Sequence, residues 1–192
     1  MCSQFGLDEK KPLIIFIGRL VGEKAADLLP QAISDSIVHI NGEMNFLILG
    51  SGDPEVEFRL QQLNRGFTGY YNSQIGYNEK LAHQMYAGAD LLLMPSRVEP
   101  CGLNQMYAMR YGTIPIVRRT GGLNDTVKDY GEDGGYGICF NQASVGDITN
   151  AVYRAVQLFK QKKRTKEIIQ TIMQLDFSWE NSAGKYIDVY NS

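Results

Sequence analysis

Short, wholly apolar runs separated by segments of helical periodicity constrain this chain more than any other feature. Leu13-Ile14-Ile15-Phe16-Ile17, Phe46-Leu47-Ile48-Leu49 and Leu91-Leu92-Leu93-Met94 lack polar alternation, the pattern of strands buried on both faces. A weaker strand near residues 68–71, one at 114–117 (where Pro115 suits a strand start or edge) and one at 136–140 bring the number to about six. Between them, Ala25, Leu28, Leu29, Ala32 and Ile33 share one helix face, with Pro30 expected to interrupt and kink that helix. Val56, Leu60 and Leu63 mark a second helix, residues 79–87 a third and 103–111 a fourth. Ile148, Ala151, Val152, Ala155, Val156 and Phe159 give the cleanest amphipathic stripe, and two more helices are expected at 165–175 and 179–190. The alternation predicts an α/β fold. A single doubly wound parallel sheet of about six strands, with helices on both faces, would form one domain over residues 1–192. Sheets of this kind bind ligands beyond the carboxyl ends of their strands, so the loops after Ile17, Leu49, Met94 and Val117 matter most.

Composition narrows the function classes. With 44% hydrophobic and 21% charged residues and a net charge of −2, the chain reads as a globular domain. That balance argues against a general nucleic-acid or membrane-surface binder. Its longest apolar runs fall far short of the ~18 residues of a membrane span. Met1-Cys2-Ser3-Gln4 has no basic or apolar secretory pattern. Cys2, Cys101 and Cys139 form no Cys-x-x-Cys pair and suit a reducing cytoplasm. His39 and His83 lie far from any cysteine pair, so a structural zinc site is not expected.

Three loops on the expected rim carry chemistry. Gly18-Arg19-Leu20-Val21-Gly22-Glu23-Lys24 sets two cations where a strand gives way to a helix. Fixed cations can support a diphosphate leaving group; solvated surface charges are the other reading. Pro95-Ser96-Arg97-Val98-Glu99-Pro100-Cys101-Gly102-Leu103-Asn104-Gln105 places Glu99 just before a helix whose first amides lie near Leu103 and Asn104. Such a terminus suits an anion, so a carboxylate beside it points to sugar hydroxyls or developing positive charge, or simply to a helix start. In Thr120-Gly121-Gly122-Leu123-Asn124-Asp125 the glycines let backbone approach a ligand, or make a tight turn.

Taken in order, Gly18-Arg19-Leu20-x-x-x-Lys24, Gln74-Ile75-Gly76-Tyr77, Pro95 through Leu103, Tyr111-Gly112-Thr113, Thr120 through Val127 and Asp176-Phe177-Ser178-Trp179 resemble the C-terminal half of glycogen and starch synthases, glycosyltransferase family 5. The resemblance runs over about residues 13–190. It implies a Rossmann-like domain, one of the two in a glycosyltransferase-B fold, and an ADP-glucose-dependent retaining transfer of glucose to the non-reducing end of an α-1,4-glucan. Arg19 and Lys24 would bind the donor diphosphate and Glu99 would face the transferred glucose. Gly18, the backbone at Gly102, Leu103 and Asn104, neighbouring Cys101, and nearby Gly121 and Gly122 would line the donor site. Tyr77 resembles the aromatic that stacks on the base, or is a core residue. Cys101 is expected to be a buried small residue, not a nucleophile.

The resemblance also implies what this chain leaves out. The N-terminal acceptor domain, with its Lys-x-Gly-Gly-Leu loop and catalytic histidine, is not found here, so the fragment is expected to bind nucleotide weakly and not to turn over alone. Its partners would be ADP-glucose or ADP, the missing domain and, through it, the glucan; no metal cofactor, nucleic acid or membrane is expected. Sucrose- and trehalose-type UDP-glucose enzymes carry a second glutamate eight positions after the first, where this chain has Tyr107. Asn104 stands where the family often has threonine. A UDP-glucose-dependent retaining transferase of sucrose or trehalose type, which Tyr107 argues against, and a nucleotide-binding module with no catalytic use of Glu99 are the alternatives. The cluster Lys160, Lys162, Lys163 and Arg164 is expected to be a solvated face complementing a helix dipole. Trp179, Phe177, Tyr186 and Tyr190 are expected to pack a terminal helix.

Overall fold

A computed structural model describes residues 1–191. Its six strands are β1 (Leu13–Ile17), β2 (Asn45–Gly50), β3 (Tyr71–Ile75), β4 (Leu91–Met94), β5 (Ile114–Arg118) and β6 (Ile138–Phe140). They form one sheet in the order β3-β2-β1-β4-β5-β6, and every neighbouring pair is parallel. The helices are α1 (Leu29–His39), α2 (Pro54–Gly66), α3 (Glu79–Gly88), α4 (Asn104–Arg110), α5 (Gly121–Thr126), α6 (Val145–Lys160), α7 (Lys162–Gln174) and α8 (Trp179–Tyr190). Helices α1, α2 and α6 pack together, while α3, α4 and α7 form a second layer. The sheet is therefore covered on both faces, which is why its central strands are continuous apolar runs. No helix among the described residues is long and apolar enough to cross a membrane.

Local signals explain the boundaries. Asp53, Asn78, Ser144 and Ser178 each accept a backbone N–H at the start of α2, α3, α6 and α8, contacts worth about 1 kcal/mol apiece. Pro30 does not kink a helix; it lies in the first turn of α1, where its missing N–H costs nothing, and residues 22–28 form 3-10 turns instead. The third strand lies at Tyr71–Ile75 rather than 68–71. Pro115 is the second residue of β5 and precedes Ile116, where pairing with β6 begins, so its absent N–H breaks no ladder on that side.

The basic cluster spans two helices. Lys160 lies in the last turn of α6, whereas Lys162, Lys163 and Arg164 open α7, against its dipole. The C-terminal expectation also fails. Trp179 is 87% exposed, and Phe177, Tyr186 and Tyr190 are exposed too, because α8 buries no residue against the domain. His39 and His83 are surface residues edge-on to Tyr153 and Tyr86.

Asp129 anchors the loop before β6. Its carboxylate accepts from the Arg154 guanidinium (2.6 and 2.8 Å), Cys139 N–H (2.7 Å) and Gly131 N–H (2.9 Å). Burial alone would push this carboxyl up; the arginine and the two amides outweigh it and hold it below the ordinary carboxylate value. The unfolded chain then binds the proton more readily than the folded one. The contribution is full above the ordinary value near 4 and is lost as pH falls through the lowered folded value. Asp129→Asn is expected to lower unfolding free energy at pH 7 by about 2–3 kcal/mol. In urea titrations the gap from the parent chain should begin to narrow as pH falls below about 4; a constant gap would contradict this account.

Candidate functional site

The strand order reverses direction between β1 and β4. Chain leaving β1 and chain leaving β4 therefore depart to opposite sides, and a crevice opens between their loops. The first loop is held against the end of β2: Gly18 N–H donates to Leu49 (3.1 Å), Leu20 N–H to Ser51 (2.8 Å), and Asp53 N–H to Leu20 (2.8 Å). Gly50 and Gly52 permit that approach, since a Cβ on either would stand 2.1 Å from Gly18 O and 2.4 Å from Leu20 O. The loop then turns through Gly22–Lys24 into Ala25, which is buried with φ of 53°, a left-handed conformation that side chains other than glycine rarely adopt.

The second loop delivers Glu99, only 7% exposed. Its Oε2 accepts from Lys24 Nζ at 2.5 Å and from Ser96 Oγ at 3.0 Å. Burial lowers the local dielectric, which strengthens this pair and penalises losing either member. Backbone ties join the two loops directly: Arg97 N–H (2.8 Å) and Val98 N–H (3.1 Å) both donate to Glu23 O. The Arg97 guanidinium adds bonds to Gly22 O and to both oxygens of Asp27, and these hold the Asp27 carboxyl below its usual range. Beyond Glu99, Gly102 adopts φ of 73°, and a Cβ there would meet the Gln105 amide at 2.6 Å. Gln105 is fully buried and ties Cys101 O, Gly102 O and Thr126 Oγ1 beneath the loop.

These contacts leave a recess of about 60 Å³ lined by Gly18, Lys24, Ser96, Glu99 and the stretch 102–104, over Phe16, Ile17 and Met94. It has room for a few waters or one small polar group. Asn104 opens α4, and its amide donates to Ile17 O at 2.8 Å, joining the last carbonyl of β1 to that helix. At seven residues α4 is short. The anion-binding capacity expected of it rests on local N–H groups more than on a long dipole.

Gly18, Lys24, Glu99, Gly102, Leu103 and Asn104 thus converge. Arg19 does not join them: it pairs at 3.2 Å with Glu23, both side chains exposed, at the outer rim. An exposed pair of this kind contributes little, about 0–1 kcal/mol. Tyr77 is 87% exposed, its hydroxyl 3.5 Å from Glu79, and is no core residue. Cys101, expected to be buried, is exposed. Its carbonyl, rather than its side chain, faces the neighbouring elements. Gly121 and Gly122 press on the Glu99 loop rather than the recess, for Cβ atoms there would lie 2.2 Å from Glu99 O and 1.9 Å from Cys101 O. Ser96, Arg97, Gln105 and Arg118 were not singled out from sequence, although the first three stand inside the long loop motif.

The family described as glycosyl transferases group 1 matches residues 3–171. The chain belongs to that family. Among curated relatives, this group 1 glycosyltransferase domain is 58% identical over 191 residues to a glycogen synthase of Flavobacterium johnsoniae, covering 100% of this chain and 40% of the relative. It is 45% identical over 193 residues to a glycogen synthase of Desulfitobacterium hafniense, covering 98% of the chain and 40% of the relative. The domain spans about two fifths of the length of those relatives. A solved catalytic domain of Starch Synthase IV from Arabidopsis thaliana, bound to ADP and acarbose, superposes with a TM-score of 0.86 at 35% identity. That match covers 98% of this domain and 40% of the plant chain. Sucrose-phosphate synthase from Thermosynechococcus elongatus shares the fold at 21% identity and TM-score 0.70, over 98% of this chain and 47% of the other.

Proposed function

We propose that this domain is the nucleotide-sugar-binding part of a glycogen or starch synthase. In the whole enzyme, ADP-glucose would donate its glucose, with retention, to the 4-hydroxyl at the non-reducing end of an α-1,4-glucan. The observation that carries the reading is the meeting of Lys24 and Glu99 across the β1–β4 crevice, beside the 102–104 stretch. In the reaction the bond from the anomeric carbon to the diphosphate oxygen breaks and a bond from that carbon to the glucan oxygen forms. Negative charge grows on the departing diphosphate and positive charge on the sugar, and both ends need fixed electrostatic partners. Lys24, with Arg19 closing from the rim, suits the negative end, in place of a metal. Glu99 suits the sugar. The exposed Tyr77 stands free to stack on a base. Acceptor binding and the remaining catalytic groups would come from an N-terminal domain. Likeness to the named relatives and to a starch synthase solved with ADP supports this reading.

Calorimetric titration of the chain with ADP and UDP side by side tests the nucleotide half. ADP is expected to bind, weakly, and more tightly than UDP; a preference for UDP would move the reading to UDP-glucose enzymes of the sucrose or trehalose type. Incubated with ADP-glucose and glycogen, the chain alone should extend nothing. Joined to the N-terminal three fifths of the Flavobacterium relative, it should gain transferase activity that collapses in Glu99→Ala. A joined chain without activity would leave only a nucleotide-binding module, and activity untouched by that substitution would take Glu99 out of the catalytic role.

A further inference from the structure

Arg118, the last residue of β5, makes an unusual set of contacts. Its Nε donates to Ser96 O at 2.8 Å, its Nη2 to Arg97 O at 2.6 Å and its Nη1 to Asn141 O at 3.2 Å. All three acceptors are main-chain carbonyls, and no carboxylate lies within ion-pair distance of this guanidinium among the described residues. A permanently charged, half-buried group is thus spent on neutral partners.

The geometry of those partners gives the reason. The peptide unit joining Ser96 to Arg97 has its carbonyl on Arg118 Nε and its N–H on Glu23 O. The next unit, joining Arg97 to Val98, has its carbonyl on Arg118 Nη2 and its N–H again on Glu23 O. Both peptide planes before Val98-Glu99 are therefore pinned at both ends, by a planar fork on one side and by the residue preceding Lys24 on the other. The positive charge polarises each peptide and strengthens the N–H bond at its far end. Two planes so fixed decide where the Glu99 backbone stands, and the shared Glu23 carbonyl sets that position relative to Lys24.

We infer that Arg118 is a positioning residue for Glu99, holding its carboxylate on the sugar side of the donor site; the inference rests on the donor-binding reading above. Lys24 does not depend on Arg118 in the same way. Its loop is fastened to the end of β2 by Gly18, Leu20 and Asp53 and by Arg97 on Asp27. Loss of the fork should therefore disturb recognition of the glucose more than recognition of the diphosphate.

The test is calorimetry on the chain with ADP and with ADP-glucose, for the parent, Arg118→Met, Arg118→Lys, Glu99→Gln and the Arg118→Met/Glu99→Gln pair, beside thermal melts of each. In Arg118→Met, affinity for ADP-glucose is expected to fall about tenfold while affinity for ADP stays within about threefold. Lysine, which can serve one carbonyl but not the fork, should recover part of the loss. On the Glu99→Gln background, Arg118→Met should add nothing further for ADP-glucose, because it acts through the missing carboxylate. Equal losses for both ligands, no loss for either, or additive losses in the pair would overturn the inference. If Arg118→Met does not fold, the lysine variant and its pair with Glu99→Gln decide by the same criteria. A parent chain that ignores ADP, or binds ADP-glucose no better than ADP, would instead defeat the donor-binding reading itself.

Discussion

Replacing Lys24 with alanine is expected to weaken ADP binding by about ten- to a hundredfold, the loss of one charged hydrogen bond at roughly 1.5–3 kcal/mol. The same change removes the strongest partner of a carboxylate that is 7% exposed. Only Ser96 Oγ would remain on Glu99 Oε2. Leaving a buried charge half-satisfied costs on the order of 2–4 kcal/mol. In a chain of this size that lowers Tm by about 5–15 °C. The two effects separate in Lys24→Met/Glu99→Gln, which removes both charges and keeps volume. This double variant should regain most of the Tm and none of the ADP affinity. Calorimetry and a thermal melt on the same samples measure both, and recovered binding in the double variant would remove Lys24 from the diphosphate site.

Gly122→Ala is expected to be among the most damaging single-methyl changes. The added carbon would stand 1.9 Å from Cys101 O and 2.5 Å from Cys101 C, both backbone atoms of the Glu99 loop. The clash cannot be relieved by a rotamer change. Either α5 or the loop has to move by more than an ångström, at a cost of about 3 kcal/mol or more. Gly122 also donates its N–H to Glu99 O at 3.1 Å, so the movement would carry Glu99 with it. Tm should fall by about 6–12 °C, with nucleotide binding weakened alongside. Gly146→Ala serves as the contrast, since a Cβ there meets nothing within 4 Å in the first turn of α6, and it should hold or slightly raise Tm. Equal effects from the two substitutions would show that the close approach is not what Gly122 supplies.

The reach of the sequence followed burial. Leu13–Ile17 and Leu91–Met94 were legible to the residue, because strands covered on both faces have no polar position to confuse them. The edge strand β3, Tyr-Asn-Ser-Gln-Ile, buries only Tyr71 and Ser73, and its polar remainder drew the expectation three residues too early. Pro30 was misread because a proline inside an apolar stripe looks like a break until the 3-10 turns before it are seen. Lys24 and Glu99 were legible separately, as a cation and a carboxylate at strand ends. Their contact spans 75 positions, and only the strand order makes them neighbours. Arg118 left no trace, since an arginine after Ile116-Val117 and beside Arg119 has no spacing to read. The aromatic residues of α8 failed in the opposite sense: their chemistry suggested packing, and nothing in the described residues covers them.

The 2.5 Å contact between Lys24 and Glu99 has a consequence for how the crevice behaves when empty. A cation already answered by an anion casts almost no field into solvent, so the pocket offers a passing small ion nothing it lacks. On the donor-binding reading, a ligand carrying phosphate at one end and sugar hydroxyls at the other satisfies both side chains at once and repays their separation more fully than ADP does. Discrimination against lone phosphate is in that sense written into the resting pair.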